Sequence, residues 1–300
     1  NNKDFKIKNG IKPTVYQETL GTVVSAAEGY YLSGGSYDSV SFSVASQETD
    51  SRTVTFNPTG TIMYVAGPVS DKIWQYTLST AFDISTASYA SKDFSFSSQD
   101  INLTDVILND DGTRMWMVGE TNNSVFAYSL STAYDVSTAS YDSVSFSVAS
   151  QETSAQSVAF NDDGTKMYVT GYATDAVYQY SLSTAYDVST ASYDSVSLDI
   201  SSQDTAPQKI LWNPSGTKLY MLGYSSDKIS QYNLTTAYDL STASFSVSSI
   251  SFNSETTVPT GMHFKPDGSK LFIIGFSPNT VFQYSTALAT AQLDLSTGSV

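Results

Sequence analysis

The chain has 300 residues, of which 40% are hydrophobic and 13% aromatic, so it carries enough apolar surface for a sizeable core and does not read as disordered. A formal net charge of −15 argues against nucleic acid and anionic membrane surfaces as partners. With no cysteine, disulfides, thiolate metal sites and cysteine nucleophiles are excluded.

The first segment, residues 1–37, reads as an N-terminal arm. Its opening "NNKDFKIKNG" has no apolar signal-type core, and no run in the chain approaches membrane-spanning length, so no membrane insertion is expected. Residues 38–44 ("DSVSFSV") alternate like a strand, and then a repeat takes over. The turn motifs "NPTG", "NDDG", "NDDG", "NPSG" and "KPDG" end at Gly60, Gly112, Gly164, Gly216 and Gly268, each 52 residues after the last. In the first copy the spacing predicts strands at 53–57, 61–66, 72–78 and 93–97, rich in Val, Tyr and Phe and separated by Gly, Asp and Asn. The Asn-x-x-Gly link suits a tight hairpin. Four short strands per unit of this length is the signature of a β-propeller blade.

The fold class is therefore all-β, a propeller over residues 38–285, with residues 286–300 left as a C-terminal linker or strand. Five complete inner-strand sets are present, and the last lacks an outer strand. The economical closure lends it the N-terminal strand 38–44, which removes an open sheet edge and gives five blades. Six blades remain an alternative if "FKIKNG", "PTVYQ" and "GTVVS" form a degenerate extra unit.

Periodic residues serve the blade before they serve chemistry. Tyr76, Tyr128, Tyr180, Tyr232 and Tyr284 recur at one strand position and are expected to pack between blades. Asp83, Asp135, Asp187 and Asp239 precede Ser-Thr or its near equivalent in the linkers and are expected to close Asx turns. Glu48, Asp100, Glu152 and Asp204 recur in "SQET" and "SQDT", but Thr256 takes the fifth place, so a carboxylate ring for calcium is not expected. The single histidine, His263, reads as a packed or channel-lining strand residue. No catalytic residue, metal site or cofactor is assigned, and the chain is expected not to be an enzyme. Catalysis would require a metal or a cluster of unique polar groups in the central channel.

Copies differ most in two windows, between the outer strand and the next inner strand, and between the second and third strands. In a propeller both connections emerge on one face, and loops on a rigid scaffold commonly carry recognition. The candidate ligand-binding residues are accordingly Tyr172, Tyr224 and Phe276 as aromatic anchors, with Arg52, Asp105, Glu120, Gln156, Gln208 and Lys209 as polar partners. The hairpin loops of the opposite face, including Asp110, Asp162 and Ser215, are expected to play no part.

The motifs "NPSGTKLYML", "NDDGTKMYVT" and "KPDGSKLFII" resemble the PDGxKLYV hairpin of surface-layer and lactonase-like propellers. The whole repeat, with "SYDSVSFSVASQET" and "YSLSTAYDVSTAS", resembles Ser/Thr-rich propeller repeats of marine phage and prophage structural proteins. "DFKIKNGI" (4–11) and "LDLSTGSV" (293–300) resemble strands that bound tail-fibre modules. The resemblance implies a non-enzymatic adhesion or receptor-binding module on a virion or cell surface, binding a cell-surface glycan or protein. A structural decoration or spacer that contacts other fibre subunits is the alternative, with a lactonase-like enzyme third. A homo-oligomer is compatible with all three.

Overall fold

The protein, described here at residues 30–252 and 254–287 of a computed structural model, is a five-bladed β-propeller. β1 (Tyr31–Ser43) stands alone at the start. The first contiguous blade comprises β2 (Thr53–Phe56), β3 (Ile62–Gly67), β4 (Lys72–Leu78) and β5 (Ala87–Ser95). The next is β6 (Leu103–Leu108), β7 (Arg114–Gly119), β8 (Ser124–Leu130) and β9 (Ala139–Ser147), followed by β10 (Ala155–Phe160), β11 (Lys166–Gly171), β12 (Ala176–Leu182) and β13 (Ala191–Asp199). The fourth is β14 (Pro207–Trp212), β15 (Lys218–Gly223), β16 (Lys228–Leu234) and β17 (Ala243–Ser251). The last set, β18 (Pro259–Phe264), β19 (Lys270–Gly275) and β20 (Thr280–Ala287), takes β1 as its fourth strand.

That pairing is the expected closure. β1 runs antiparallel to β20, with Val40 opposite Gln283 and Ser43 opposite Thr280. The strand begins at Tyr31, earlier than the residue 38 expected, because the linker ahead of it also pairs, with Ser36 opposite Ser285 and Tyr37 opposite Tyr284. The other outer strands start early for the same reason. β5 begins at Ala87 rather than residue 93, directly after a 3-10 turn at Ile84–Thr86. Asp83 caps that turn by accepting from the Ser85 amide, and Asp135, Asp187 and Asp239 repeat the contact, as the Asx reading expects. The suggested degenerate blade, "DFKIKNGI" and "LDLSTGSV" lie outside the described residues.

The cores lie between blades. Val54, Met63, Val65 and Tyr76 of one blade pack with Phe272, Ile274 and Val281 of its neighbour, and four equivalent clusters complete the ring. The five periodic tyrosines are buried there, each contributing about 2–3 kcal/mol of apolar burial. Their hydroxyls donate to the preceding blade, Tyr232 to Gln203 at 2.8 Å and Tyr284 to Glu255 at 3.0 Å. Gln75 and Gln179 reach the other way, accepting the Val136 and Leu240 amides at 3.0 Å. Glu48, Asp100, Glu152 and Asp204 are buried and tie corner loops together; Asp204, for example, accepts the Ala206 and Ser226 amides at 2.7 Å. They are loop fasteners, as their periodicity suggests.

Candidate functional site in the central channel

The first strand of each blade runs along the channel, so residues spaced by 52 form tiers around it. The deepest tier is Thr53, Asp105, Ser157, Lys209 and Gly261, five different residues at one repeat position. Asp105 and Lys209 form an ion pair with side chains 0% and 3% exposed. Thr53 and Ser157 each donate a hydroxyl to the Asp105 carboxylate at 2.8 Å, and the Val106 and Val158 amides add bonds at 2.8 and 3.2 Å. Every acceptor position on this carboxylate is occupied. The cluster is the set of unique polar groups that a catalytic channel would require, but it is saturated and sealed from solvent. Its chemistry is that of a key joining four blades.

Above it lie Thr55, Ile107, Ala159, Leu211 and His263. The His263 Nδ1 is 3.3 Å from the Thr55 hydroxyl, and Phe56 packs on the ring at 5.2 Å. The residue keeps some accessible area, yet protein surrounds the ring at the floor of a narrow funnel. Burial therefore pushes its pKa down to about 3, and the Lys209 ammonium below adds to the effect. The imidazole is neutral at physiological pH. His263 is the channel-lining strand residue expected of it.

The channel then flares toward the face of the hairpin turns. Phe56, Leu108, Phe160, Trp212 and Phe264 form an apolar ring, and the cavity above it measures about 540 Å³. Pro58, Asp110, Asp162, Pro214 and Pro266 of the turns, with Tyr30, Tyr134 and Tyr186 of the linkers, make the rim. The repeat sets this geometry locally. Gly164 holds φ +68° in its turn, and a Cβ there would meet the Tyr186 ring at 2.2 Å. The Tyr186 amide bonds the Gly164 carbonyl at 2.8 Å, and its hydroxyl donates to the Asp162 carbonyl at 2.6 Å. Turn and tyrosine thus fix each other at the mouth.

Of the sequence-predicted binding residues, Asp105 and Lys209 belong to the sealed key on β6 and β14, not to surface loops. Gln156 and Gln208 are likewise on strands and buried, at 2% and 4% exposure. Gln156 and Gln208 are on strands because β10 and β14 start two residues before the place that the 53–57 spacing implies; Asp105 and Lys209 stand at the first position of that spacing, already inside the inner strand. Tyr224 and Phe276 are exposed on the expected face, and Tyr172 is half-buried. Burial raises the Tyr172 hydroxyl pKa; Arg52 beside it lowers it and Glu120 raises it further. Arg52 pairs with Asp50 at 2.7 Å and stands 6.0 Å over the Phe276 ring. Glu120 accepts from Asn102 at 2.9 Å and from Ser154. Arg52 and Phe276 are thus brought together, while Asp50 engages Arg52, and Asn102 and Ser154 engage Glu120.

No family model and no curated protein sequence matches this chain. Similar solved structures include a candidate 6-phosphogluconolactonase from Bacteroides fragilis, 14% identical, with TM-score 0.45 over 65% of this chain and 52% of that one. Another from Bacteroides uniformis is 12% identical, with TM-score 0.47 over 74% and 63%. The periplasmic gluconolactonase of Pseudomonas aeruginosa is 11% identical, with TM-score 0.45 over 67% and 54%. The chain thus spans between half and two thirds of the length of these structures, and at such identity the likeness assigns no activity. The expectation of a phage-type adhesion module, with its spacer alternative, is corrected: these structures carry lactonase names and none carries a phage, fibre or adhesin name. Four of the six polar residues meant to serve that role, Asp105, Gln156, Gln208 and Lys209, are moreover buried.

Proposed function

We propose that the protein binds a small molecule with a flat or apolar body in the funnel on its hairpin-turn face. One observation carries this: the 540 Å³ cavity is ringed by Phe56, Phe160, Trp212 and Phe264 while hydrogen-bonding groups gather at its rim and, with Thr55 and His263, at its floor. That division, apolar walls with a few placed polar groups, is how ligand sites of this size obtain affinity and orientation. The fold supports the cavity rigidly, since the ring residues sit on inner strands and the rim on turns bonded to them.

Two of the three tryptophans, Trp116 and Trp212, line the funnel, so intrinsic fluorescence reports occupancy. Titration with 1-phenylethanol should quench the signal saturably, with a dissociation constant on the order of millimolar for so small a probe. The F160A/W212A variant, checked for a native circular dichroism spectrum, should lose the response. Linear quenching that is the same in both proteins would mean the funnel is not a binding site. Recovery of the probe and its analysis by mass spectrometry shows in the same experiment whether the protein alters what it binds.

A further inference from the structure

The funnel is not five-fold symmetric: Phe272 replaces a tyrosine in the last blade, and most other departures gather in one sector. At the second-strand position facing the linkers, Tyr64, Tyr168 and Tyr220 donate their hydroxyls to the backbone carbonyls of Tyr134, Tyr238 and Tyr30. The equivalent in the second blade is Trp116, stacked on Tyr186 at 5.4 Å and tilted against Phe160 at 4.9 Å. Trp116 lines the funnel, is 1% exposed, and its Nε1–H, like that of Trp212, has no hydrogen-bond partner. An unpaired buried indole donor is costly unless something accepts from it. In the same blade the apolar ring carries Leu108 in place of an aromatic; Leu108 packs in the cluster of Tyr64, while Phe160 and Tyr186 flank Trp116.

The rim of this sector carries the two carboxylates, Asp110 and Asp162; in the other three blades the place is proline. Asp162 accepts from the Tyr238 hydroxyl at 2.7 Å, and Asp110 is exposed. Both stand within electrostatic reach of the Tyr186 phenol, whose pKa burial raises and the two carboxylates raise further. Among the described residues that line the funnel there is no lysine or arginine, and His263 at the floor is neutral. The chain's net charge of −15 reinforces the sign. A cation over aromatic faces gains from their quadrupoles as well as from the carboxylates. The sector thus offers negative charge, aromatic faces and one donor that needs an acceptor.

Resting on the funnel being the binding site, we propose that its ligand is a small organic ammonium with a hydroxyl or ether oxygen near the nitrogen. The ammonium sits between Asp110 and Asp162, and the oxygen accepts from the Trp116 indole N–H. The apolar body lies across Phe160 and Tyr186.

The test compares 2-amino-1-phenylethanol with 1-phenylethanol, 2-phenylethylamine and mandelate, by fluorescence titration of wild type, D110N/D162N and W116F. The amino alcohol should bind at least tenfold tighter than 1-phenylethanol, and mandelate should bind more weakly than either. D110N/D162N should reduce the tenfold preference to threefold or less. W116F should bring the amino alcohol and 2-phenylethylamine to within twofold of each other, while retaining the preference for cations. Equal binding of 1-phenylethanol and the amino alcohol would overturn the ammonium assignment and leave the funnel site standing. A preference that survives D110N/D162N would also overturn it, since the selectivity would then come from overall charge. Binding of none of the four probes would remove the funnel site itself.

Discussion

Replacing Lys209 by Met tests whether the buried key holds the ring together. The substitution preserves the length and apolar stem of the side chain and removes only the ammonium. It leaves the Asp105 carboxylate, 0% exposed, with its bonds from Thr53, Ser157 and the Val106 and Val158 amides. Breaking a buried pair by removing one partner costs about 3–5 kcal/mol, and four surviving donors place K209M near 3. D105L is worse. It strands the ammonium and deprives two hydroxyls and two amides of their acceptor, so about 5 kcal/mol or more is expected. The D105L/K209M double variant should lose less than the sum of the singles by about 2–4 kcal/mol, because neither charge is left behind. For a chain of this size K209M should lower Tm by about 6 °C. Urea unfolding followed by tryptophan fluorescence measures all three variants. Singles within about 0.5 kcal/mol of wild type, or a strictly additive double, would refute the argument that the pair is a load-carrying joint of the channel.

Deleting residues 1–43 removes β1 and exposes β20 as an edge, so the truncated protein should aggregate or lose most of its stability; a monomer with unchanged melting by light scattering and calorimetry would contradict the closure. Gly164→Ala forces a Cβ onto the Tyr186 ring at a positive φ and should cost about 2–3 kcal/mol in denaturant melts, with loss of funnel binding. His263 has a folded-state pKa below its unfolded value, so it supplies stability above about pH 6.5 that is lost as pH falls toward 3. Stability curves from pH 7 to 4 should therefore fall about 1–3 kcal/mol further for wild type than for H263Q, and parallel curves would show that the histidine charges freely. Asp175 and Asp227 each keep a carboxylate oxygen without a partner, at the position where Asn123 and Asn279 accept the Ala155 and Ser51 amides. The matching residues one blade on are Pro207 and Pro259, which have no N–H to give. Burial and nearby Asp204 raise both carboxyl pKa values, so D175N and D227N should each stabilise the protein by about 0.5 kcal/mol at pH 7, with the gain shrinking as pH falls to 4.

The ring was legible because a propeller repeats its local chemistry. The 52-residue spacing of the turn glycines and strand tyrosines names one position in every blade, and that of the linker aspartates one position in four linkers, and each occupies the place its residue type implies. Closure by the N-terminal strand followed from counting, since one set lacked an outer partner. The site was less legible, for a physical reason. Variation between copies was taken as a sign of exposed loops, yet Thr53, Asp105, Ser157, Lys209 and Gly261 vary because five side chains meeting in one small channel cannot all be alike. Conversely the hairpin face was set aside as constant, although its small departures (Leu108, Trp116, Asp110 and Asp162) fall in one sector of the funnel. An aligned comparison of the five copies at the inner strand would have exposed that sector. What no alignment gives is the flare of the channel, which depends on how five blades tilt around their axis.

The most direct measurement is a crystal structure of the protein soaked with 2-amino-1-phenylethanol. Density is expected in the funnel, with the phenyl ring against Phe160, the nitrogen between the Asp110 and Asp162 carboxylates, and the hydroxyl toward the Trp116 indole. An empty funnel in crystals with open solvent access to that face, or density only on the face that carries Tyr224 and Phe276, would contradict it.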